Sequence, residues 1–372
     1  MPDQLRHKQF PGRRVTIPRV VSAGRRAVLH LLREIHEQPQ VVDGLLSHYA
    51  APVDEIAAAI ERYKPAFACI AARGTSDNAA RYAQYLFGYM TGLPAMLALP
   101  SLHTLYERPL NLAGALVIGI SQSGQAEDVR RVLEDARSQG ALTLAITNYP
   151  DSPMATTAQY HLELHAGDER SIAATKTYTA QLFRIAQLVS ALAPSSAPRS
   201  ALKRVPDLMR DSLERSVTIE GWAQRYRYAD RMAVIGRGFN YATAAEVSLK
   251  VKELAYIASE GWSEADFRHG PIAMVRGGYP VLLVAPDGDL LDNMQDLFEK
   301  VRQRDGECLV ITNRQEIFEG AQQFMTLPGD LPEWLSPLVA ILPGQVFAMH
   351  QALIRGYSPD APIGLTKVTV TE

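Results

Sequence analysis

Short runs of apolar residues recur along the chain, each followed by a polar turn and then a stretch with helical spacing. The run Ala115-Leu116-Val117-Ile118-Gly119-Ile120 is apolar at every position, so it predicts a buried parallel strand. Behind it stands Ser121-Gln122-Ser123-Gly124, and then a helical pattern from Glu127 to Ala136. Upstream, Phe67-Ala68-Cys69-Ile70-Ala71-Ala72 predicts a second strand, leading through Arg73-Gly74-Thr75-Ser76 into an amphipathic helix from about Asp77 to Tyr89. Each turn puts glycine and small hydroxyl residues at the carboxyl end of a strand. There, backbone N–H groups, hydroxyls and a helix N-terminus converge on an anion. Serine is also an ordinary helix cap, so either turn alone admits both readings. Two such turns in consecutive strand–helix units can share one phosphate at the carboxyl edge of a parallel sheet. Neither turn contains G-x-G-x-x-G or GK[ST], so a phosphorylated small molecule fits better than a nucleotide.

The second half of the chain echoes the first. Arg231-Met232-Ala233-Val234-Ile235-Gly236-Arg237-Gly238 parallels the Cys69 strand and its turn, with Gly238 in the place of Gly74. Leu142-Thr143-Leu144-Ala145-Ile146-Thr147-Asn148 is matched by Cys308-Leu309-Val310-Ile311-Thr312-Asn313, with Asn313 in the place of Asn148. The separation within the glycine pair is nearly the same as within the asparagine pair. Charged amphipathic helices, about Ala126–Gln139 and Leu291–Asp305, precede the latter pair. A constant offset predicts a duplication: two α/β lobes, each a parallel sheet flanked by helices. The expected boundaries are a basic N-terminal tail over 1–30, lobe one over 31–192, linking helices over 193–222 that open on the Pro-, Ala- and Ser-rich segment Ala193–Arg199, lobe two over 223–355, and a C-terminal tail over 356–372.

Composition narrows the classes. The chain has 372 residues, 47% of them hydrophobic, and a formal net charge of −2, so no general electrostatic pull toward nucleic acid or membrane is expected. Cys69 and Cys308 both fall inside strand-like runs and read as buried thiols of a reducing compartment. No unbroken apolar stretch approaches the roughly 18–20 residues of a bilayer span, and the N-terminal segment lacks the apolar core of a signal peptide. A soluble, cytoplasmic protein is expected. The segment ahead of Leu29 carries Arg6, Lys8, Arg13, Arg14, Arg19, Arg25 and Arg26 against Asp3, and reads as a mobile tail or a start placed too far upstream rather than as a nucleic-acid arm.

Glu246, Lys250 and Glu253 fall at i, i+4 and i+7, on one face of a predicted helix. That row is either a solvated salt-bridge ladder or the wall of a pocket. The helix follows the Gly238 turn and leads to Asp266-Phe267-Arg268-His269-Gly270-Pro271, where glycine and proline fix a turn around His269. A carboxylate and a histidine in one pocket suit proton transfer near neutral pH. The tail Pro362-Ile363-Gly364-Leu365-Thr366-Lys367-Val368-Thr369 holds one lysine. If the tail folds over the phosphate turns, Lys367 can reach a carbonyl carbon, and a desolvated lysine forms Schiff bases. His161 and His165 have metal-ligand spacing only in a helix, but lie in a strand-like run, so no metal or other cofactor is expected.

These residues together resemble the sugar isomerase (SIS) domain family with two domains in tandem, from about Leu32 to Glu372. The resemblance begins with Arg33-Glu34-Ile35-His36-Glu37-Gln38-Pro39 and includes the two turns, Ser171-Ile172-Ala173-Ala174-Thr175-Lys176-Thr177, the Glu246–Glu253 row, His269-Gly270-Pro271 and the Lys367 tail. It is nearest the isomerase half of glucosamine-6-phosphate synthase and the stand-alone glucosamine-6-phosphate deaminases. The resemblance implies that Thr75, Ser76, Ser121, Gln122 and Ser123 bind the phosphate and nearby hydroxyls, while Ile172 and Ala174 line the substrate. It implies that Glu253 moves a proton between C1 and C2, that Lys250 lies near the reacting carbons and that Lys367 forms an imine with the ketose. His269 would open the sugar ring in the neighbouring subunit of a homodimer. Ala126 stands where the synthase has a phosphate-binding threonine, so one hydroxyl contact is lost. Only a short segment precedes the resemblance, with no terminal cysteine for releasing ammonia from glutamine. The expected activity is therefore deamination of glucosamine-6-phosphate to fructose-6-phosphate and ammonia. Another phosphosugar isomerase, an ammonia-dependent synthase, a fructosamine-phosphate deglycase or a non-catalytic sugar-phosphate sensor remain as alternatives.

Overall fold

The computed structural model of the protein describes residues 29–367, so most of the predicted basic tail and the end of the C-terminal tail lie outside the described residues. Among the described residues, ten strands form two five-stranded sheets. The first contains β1 (Phe67–Ala71), β2 (Ala95–Leu97), β3 (Ala115–Ile120), β4 (Leu142–Thr147) and β5 (Tyr160–Glu163), in the order β2-β1-β3-β4-β5. The second contains β6 (Arg231–Gly236), β7 (Ala258–Ser263), β8 (Pro280–Val284), β9 (Glu307–Thr312) and β10 (Gln323–Thr326), in the order β10-β9-β8-β6-β7. Every neighbouring pair is parallel. Read from the opposite edge, the second order repeats the first, so the duplication seen in the sequence is also one of topology. β3 and β4 are buried at every position, which is why they are apolar almost throughout.

In both sheets the strand order reverses beside the first strand. Between β1 and β3, and between β6 and β8, a crevice therefore opens at the carboxyl ends. The two predicted phosphate turns follow β1 and β3 and flank the first of these crevices.

The lobes are not separate bodies. A single apolar core runs from Leu31 and Ile35 through Ile118 and Phe183 to Val247, Leu282 and Phe347, and so joins the inner faces of both sheets. Smaller cores cover the outer faces, around Val129 and Leu133 in lobe one and around Phe298 and Phe318 in lobe two. Helix Ser336–Ile354 passes through the shared core, and its length and composition would suit a membrane span. Polar Gln345, His350 and Gln351 interrupt it, and 89% of that span is buried within the fold. Its apolar character reflects the core of this fold.

Several predicted boundaries shift. The first long lobe-one helix after β1 spans Thr75–Thr91 rather than Asp77–Tyr89, because the Ser76 and Asp77 amides already bond back to Arg73. The helices expected over Ala126–Gln139 and Leu291–Asp305 span Glu127–Ser138 and Leu291–Arg302. His161 lies in β5, whereas His165 lies beyond it with φ of 45°.

Glycines separate packing from propensity. On helix Ser336–Ile354, a Cβ at Gly344 would lie 2.3 Å from Val247 Cγ2, on the helix that carries Glu246 and Lys250. On helix His30–Ser47, a Cβ at Gly44 would meet nothing within 4 Å. Gly44→Ala should therefore stabilise the protein by about 0.5–1 kcal/mol through helix propensity. Gly344→Ala should destabilise it by about 1–3 kcal/mol through overpacking, despite the same propensity gain. Urea denaturation of the two variants beside the parent checks both signs.

Candidate functional site

The turn after β3 is built to leave hydroxyls available. Ser121 Oγ accepts from the Gly124 amide at 3.1 Å, and Ser123 Oγ accepts from the Gln125 amide at 3.2 Å. Each hydroxyl accepts there, and among the described residues its O–H has no hydrogen-bond acceptor. Gly124 has φ of 66°, and a Cβ there would lie 2.2 Å from Ser152 Oγ, so only glycine fits. Gln122 is half-buried beside them, and its carbonyl accepts from the Asn148 amide of the neighbouring strand–turn unit. At the other turn, Ser76 Oγ accepts from Gln181 Nε2 at 3.0 Å, and Arg73 reaches across to Asp128 at 2.6 Å. The two turns are thereby tied to each other and to helix Lys176–Leu192.

Thr75 plays a different part from the other hydroxyls. Its Oγ1 donates to Glu246 Oε1 at 3.1 Å and accepts from Lys250 Nζ at 3.3 Å. Asn78 donates to the other Glu246 oxygen at 2.8 Å. The carboxylate–lysine row of helix Asn240–Ala255 in lobe two thus lies against the first turn of helix Thr75–Thr91 in lobe one. The row is not a solvated ladder: Glu246 and Lys250 are buried. Lys250 Nζ lies 2.5 Å from Glu253 and 3.4 Å from Glu246. Burial disfavours the ammonium, but Glu246 and Glu253 more than offset this and hold Lys250 above its ordinary range. Burial pushes the Glu246 carboxyl up, and Lys250 and Asn78 oppose the rise. Glu253 keeps 23% of its side chain exposed, so among the three it is the one that a ligand can touch.

The third motif forms a loop between β5 and helix Lys176–Leu192, and two buried carboxylates shape it. Glu34, from helix His30–Ser47, accepts from the Arg170 and Ser171 amides and from the Ser171 hydroxyl. Glu169 accepts from the Thr175 amide at 2.8 Å, the Thr177 amide at 3.2 Å and the Thr177 hydroxyl at 2.7 Å. Ile172 and Ala174 are left half-buried on this loop. The C-terminal tail comes to it. Asp360 accepts from the His30 and Leu31 amides at the start of the first helix, at 2.9 and 2.8 Å. The Ile363 amide donates to the hydroxyl of Tyr256, which caps the helix bearing Glu253. Lys367 Nζ then donates to the Ser171 carbonyl at 2.6 Å and to Glu169 Oε2 at 3.2 Å.

The structure thus joins Thr75 to Lys250 and Glu253, and Lys367 to the loop of Ile172 and Ala174, while Ser76 stands on one of the two turns that flank the lobe-one crevice and Ser121, Gln122 and Ser123 on the other. It does not bring His269 there. His269 is exposed at the end of helix Glu264–Arg268, on a turn held by Arg268, which pairs with Glu264 and Asp296. Among the described residues its side chain has no hydrogen-bond or ion-pair partner. The sequence pattern does not single out Glu34, Asn78, Glu169 and Gln181. Asn78 has a local signal, one turn into a helix whose first residues form a predicted anion turn. The other three act from a distant part of the chain or from within a loop, and leave no periodic trace. A separate surface cleft of about 520 Å³, lined by Arg225, Tyr228, Arg231, Arg276 and Tyr279, lies at the amino ends of β6 and β8 and contains none of the predicted catalytic or phosphate-binding residues.

The SIS domain model matches residues 67–191 and 226–354, one segment per sheet. The chain belongs to the SIS domain family, with two such domains in tandem. The glutamine–fructose-6-phosphate aminotransferase (isomerizing) of Methanothermobacter thermautotrophicus is 36% identical over 346 residues, covering 92% of this chain and 57% of that protein. The chain therefore spans little more than half the length of that relative. The C-terminal domain of glucosamine-fructose-6-phosphate aminotransferase from Francisella tularensis superposes with a TM-score of 0.80 at 25% identity, covering 91% of this chain and 99% of that one. Glucosamine-6-phosphate deaminase from Thermotoga maritima shares the fold, with a TM-score of 0.73 at 19% identity over 92% of this chain and 100% of that one.

The buried row makes a stability prediction. Lys250→Met leaves Glu246 buried without its cation and should cost about 3–5 kcal/mol at neutral pH. Burial holds the Glu246 carboxyl above 4.5, its unperturbed value, so the folded variant binds a proton that the unfolded chain releases. Stability is then lost as pH rises above that value. Denaturant titrations from mildly acidic to neutral pH should find the deficit of Lys250→Met growing with pH.

Proposed function

We propose that the protein interconverts an aldose and a ketose phosphate at the lobe-one crevice, and that it acts on glucosamine-6-phosphate, releasing fructose-6-phosphate and ammonia. The observation that carries this reading is the contact of Thr75 with Glu246 and Lys250. It sets a proton-transfer row from lobe two against a phosphate turn from lobe one.

The phosphate lies against Ser76, Ser121, Gln122 and Ser123, and receives O–H donors and the N-terminal end of helix Thr75–Thr91. In the open-chain aminosugar, Glu253 takes the C2 proton while the electron pair moves toward the C1 carbonyl oxygen. Lys250, 2.5 Å from Glu253, supplies positive charge beside the developing enolate. Return of that proton to C1, with one N–H proton passing to the C1 oxygen, leaves an imine at C2 and a hydroxyl at C1. Water then adds to the imine carbon and the nitrogen leaves as ammonia, giving the ketose. Lys367 reaches from the C-terminal tail to the loop bearing Ile172 and Ala174, where its amine can exchange with that imine and carry the sugar while ammonia departs. His269 serves ring opening from a second copy of the chain. Its exposure and lack of a partner among the described residues support that role. So does the face near Asp266, where Tyr85 and Tyr89 pack on Phe239 yet stay exposed. Similarity to the aminotransferases supports a second reading, the same chemistry run from fructose-6-phosphate and ammonia toward the aminosugar.

Incubation of the protein with glucosamine-6-phosphate, with both products assayed, tests the reading. Equimolar ammonia and fructose-6-phosphate are expected, and bound substrate with neither product overturns it. Glu253→Gln should keep sugar-phosphate affinity within a few-fold while loss of the base costs about 10²–10⁴-fold in solvent deuterium uptake at C2. If His269 serves the neighbouring subunit, mixing inactive Glu253→Gln and His269→Ala chains should regenerate about one quarter of parental activity through mixed dimers. No recovery after subunit exchange would place His269 in its own chain's site.

A further inference from the structure

Lys367 is delivered by a segment that follows the last helix and has no regular structure of its own, and such segments fray unless something holds them. Upstream contacts dock the tail, among them Tyr357 on the Tyr256 ring and the hydrogen bonds of Asp360 and Ile363, but none of these three fixes the amine itself. The amine meets two oxygens. One is the Ser171 carbonyl, on a loop shaped by Glu34; the other is Glu169, whose side chain is fully buried. Glu169 is itself immobilised, because Thr175 and Thr177 donate three hydrogen bonds to it. A carboxylate held this rigidly offers a fixed charge with a known position. It also places that charge on the segment that carries Ile172 and Ala174, the half-buried residues of the same loop. Charge-assisted hydrogen bonds of this kind are the strong ones.

We propose that Glu169 is a positioning residue for Lys367: it tethers the ammonium and with it the C-terminal tail, so that the amine waits beside the sugar carbons. The inference deepens the proposed reaction and rests on Lys367 being the amine that faces substrate. Glu169 touches no reacting atom. Its effect passes through the lysine.

Glu169→Gln tests this in the full chain, since the amide oxygen still accepts from Thr175 and Thr177 while the charge facing Lys367 is gone. Hydrogen–deuterium exchange of the tail amides around Lys367 should run roughly 10- to 100-fold faster in the variant than in the parent, the loss expected for one charged hydrogen bond. With glucosamine-6-phosphate, kcat for ammonia release should fall by a similar factor while KM changes less than about threefold. C2 exchange through Glu253 should stay within about twofold, which a general collapse of the site would not allow. Combining Glu169→Gln with Lys367→Ala should cost no more than the worse single change, because both remove one linkage. Equal tail protection in parent and variant, or losses that multiply, would overturn the proposal. Should Glu169→Gln not fold, Lys367→Met decides: its amides around residue 367 should exchange faster by the same factor, and parental protection there would dismiss the tether. If the parent protein releases no ammonia at all, the proposed reaction fails while the amide exchange still judges Glu169.

Discussion

A lysine ammonium removed from water must be surrounded by acceptors, and the site is organised by how this chain meets that demand for Lys250. Its own helix supplies Glu246 and Glu253, one turn to either side. The remaining acceptor, Thr75 Oγ1, comes from the other lobe. Asn78 completes the arrangement by occupying the Glu246 oxygen that the lysine does not use. An unpaired charge here would cost several kcal/mol, so the two lobes have a defined mutual position only when Thr75 and Asn78 face Glu246 and Lys250. The close crossing at Gly344 serves the same end, since it lets helix Ser336–Ile354 press the Val247 side of the same helix. Stability of the lobe interface and geometry of the Glu246–Lys250–Glu253 row are therefore one requirement.

Much of this is legible in the sequence for a physical reason. Parallel strands covered on both faces must be apolar at nearly every position, so β1, β3, β4, β6 and β9 announce themselves, and their regular offset reveals the duplication. The hydroxyl-rich turns are legible because a strand-to-helix turn leaves donors that small residues expose. The i, i+4, i+7 row is legible as a shared face, but its burial is not. Nothing local distinguishes a solvated ladder from a buried one, and that difference is made by Thr75, which belongs to the other lobe. Glu34 and Glu169 are illegible for a related reason. Their partners are loop amides, and loops have no periodicity from which a buried acceptor can be inferred. Thr75 reads in the sequence as one more phosphate donor, whereas the structure directs its proton to Glu246.

The duplication has diverged in what each crevice presents. After β3 the chain places Ser121, Gln122 and Ser123. After β8 the corresponding stretch is Ala285-Pro286-Asp287-Gly288-Asp289. There the Asp287 amide donates to Asn313 and the Asp289 amide to Glu333, so the backbone donors that would meet an anion are consumed by the protein. Asp287, Asp289 and Glu333 add negative charge at the place where lobe one offers hydroxyls, and burial together with their proximity raises the Glu333 carboxyl. An anion is therefore disfavoured at the second crevice, while the first offers it donors. Lobe two instead contributes a helix: the element that follows β6, equivalent to the helix that follows the Arg73–Ser76 turn of lobe one, carries Glu246, Lys250 and Glu253.

That division of labour also separates the two glutamates of the row. Glu246 is inaccessible and fully engaged by Thr75, Asn78 and Lys250, so proton transfer to a sugar carbon cannot begin there. Its contribution is to keep Lys250 charged and in place. Glu253 shares the same lysine yet lies at the end of the helix, near Tyr256, whose hydroxyl receives the incoming tail. The Glu253 carboxylate has one side against a fixed cation and keeps the other partly exposed, as the proposed proton transfer requires. The carboxylate and the amine belong to opposite ends of the lobe-two sequence, and the amine reaches the Ser171 loop of lobe one only because the tail crosses back to that lobe. The arrangement of the Glu246–Lys250–Glu253 row and of the docked tail is therefore a property of the assembled pair of lobes, and neither copy of the duplicated unit contains it alone.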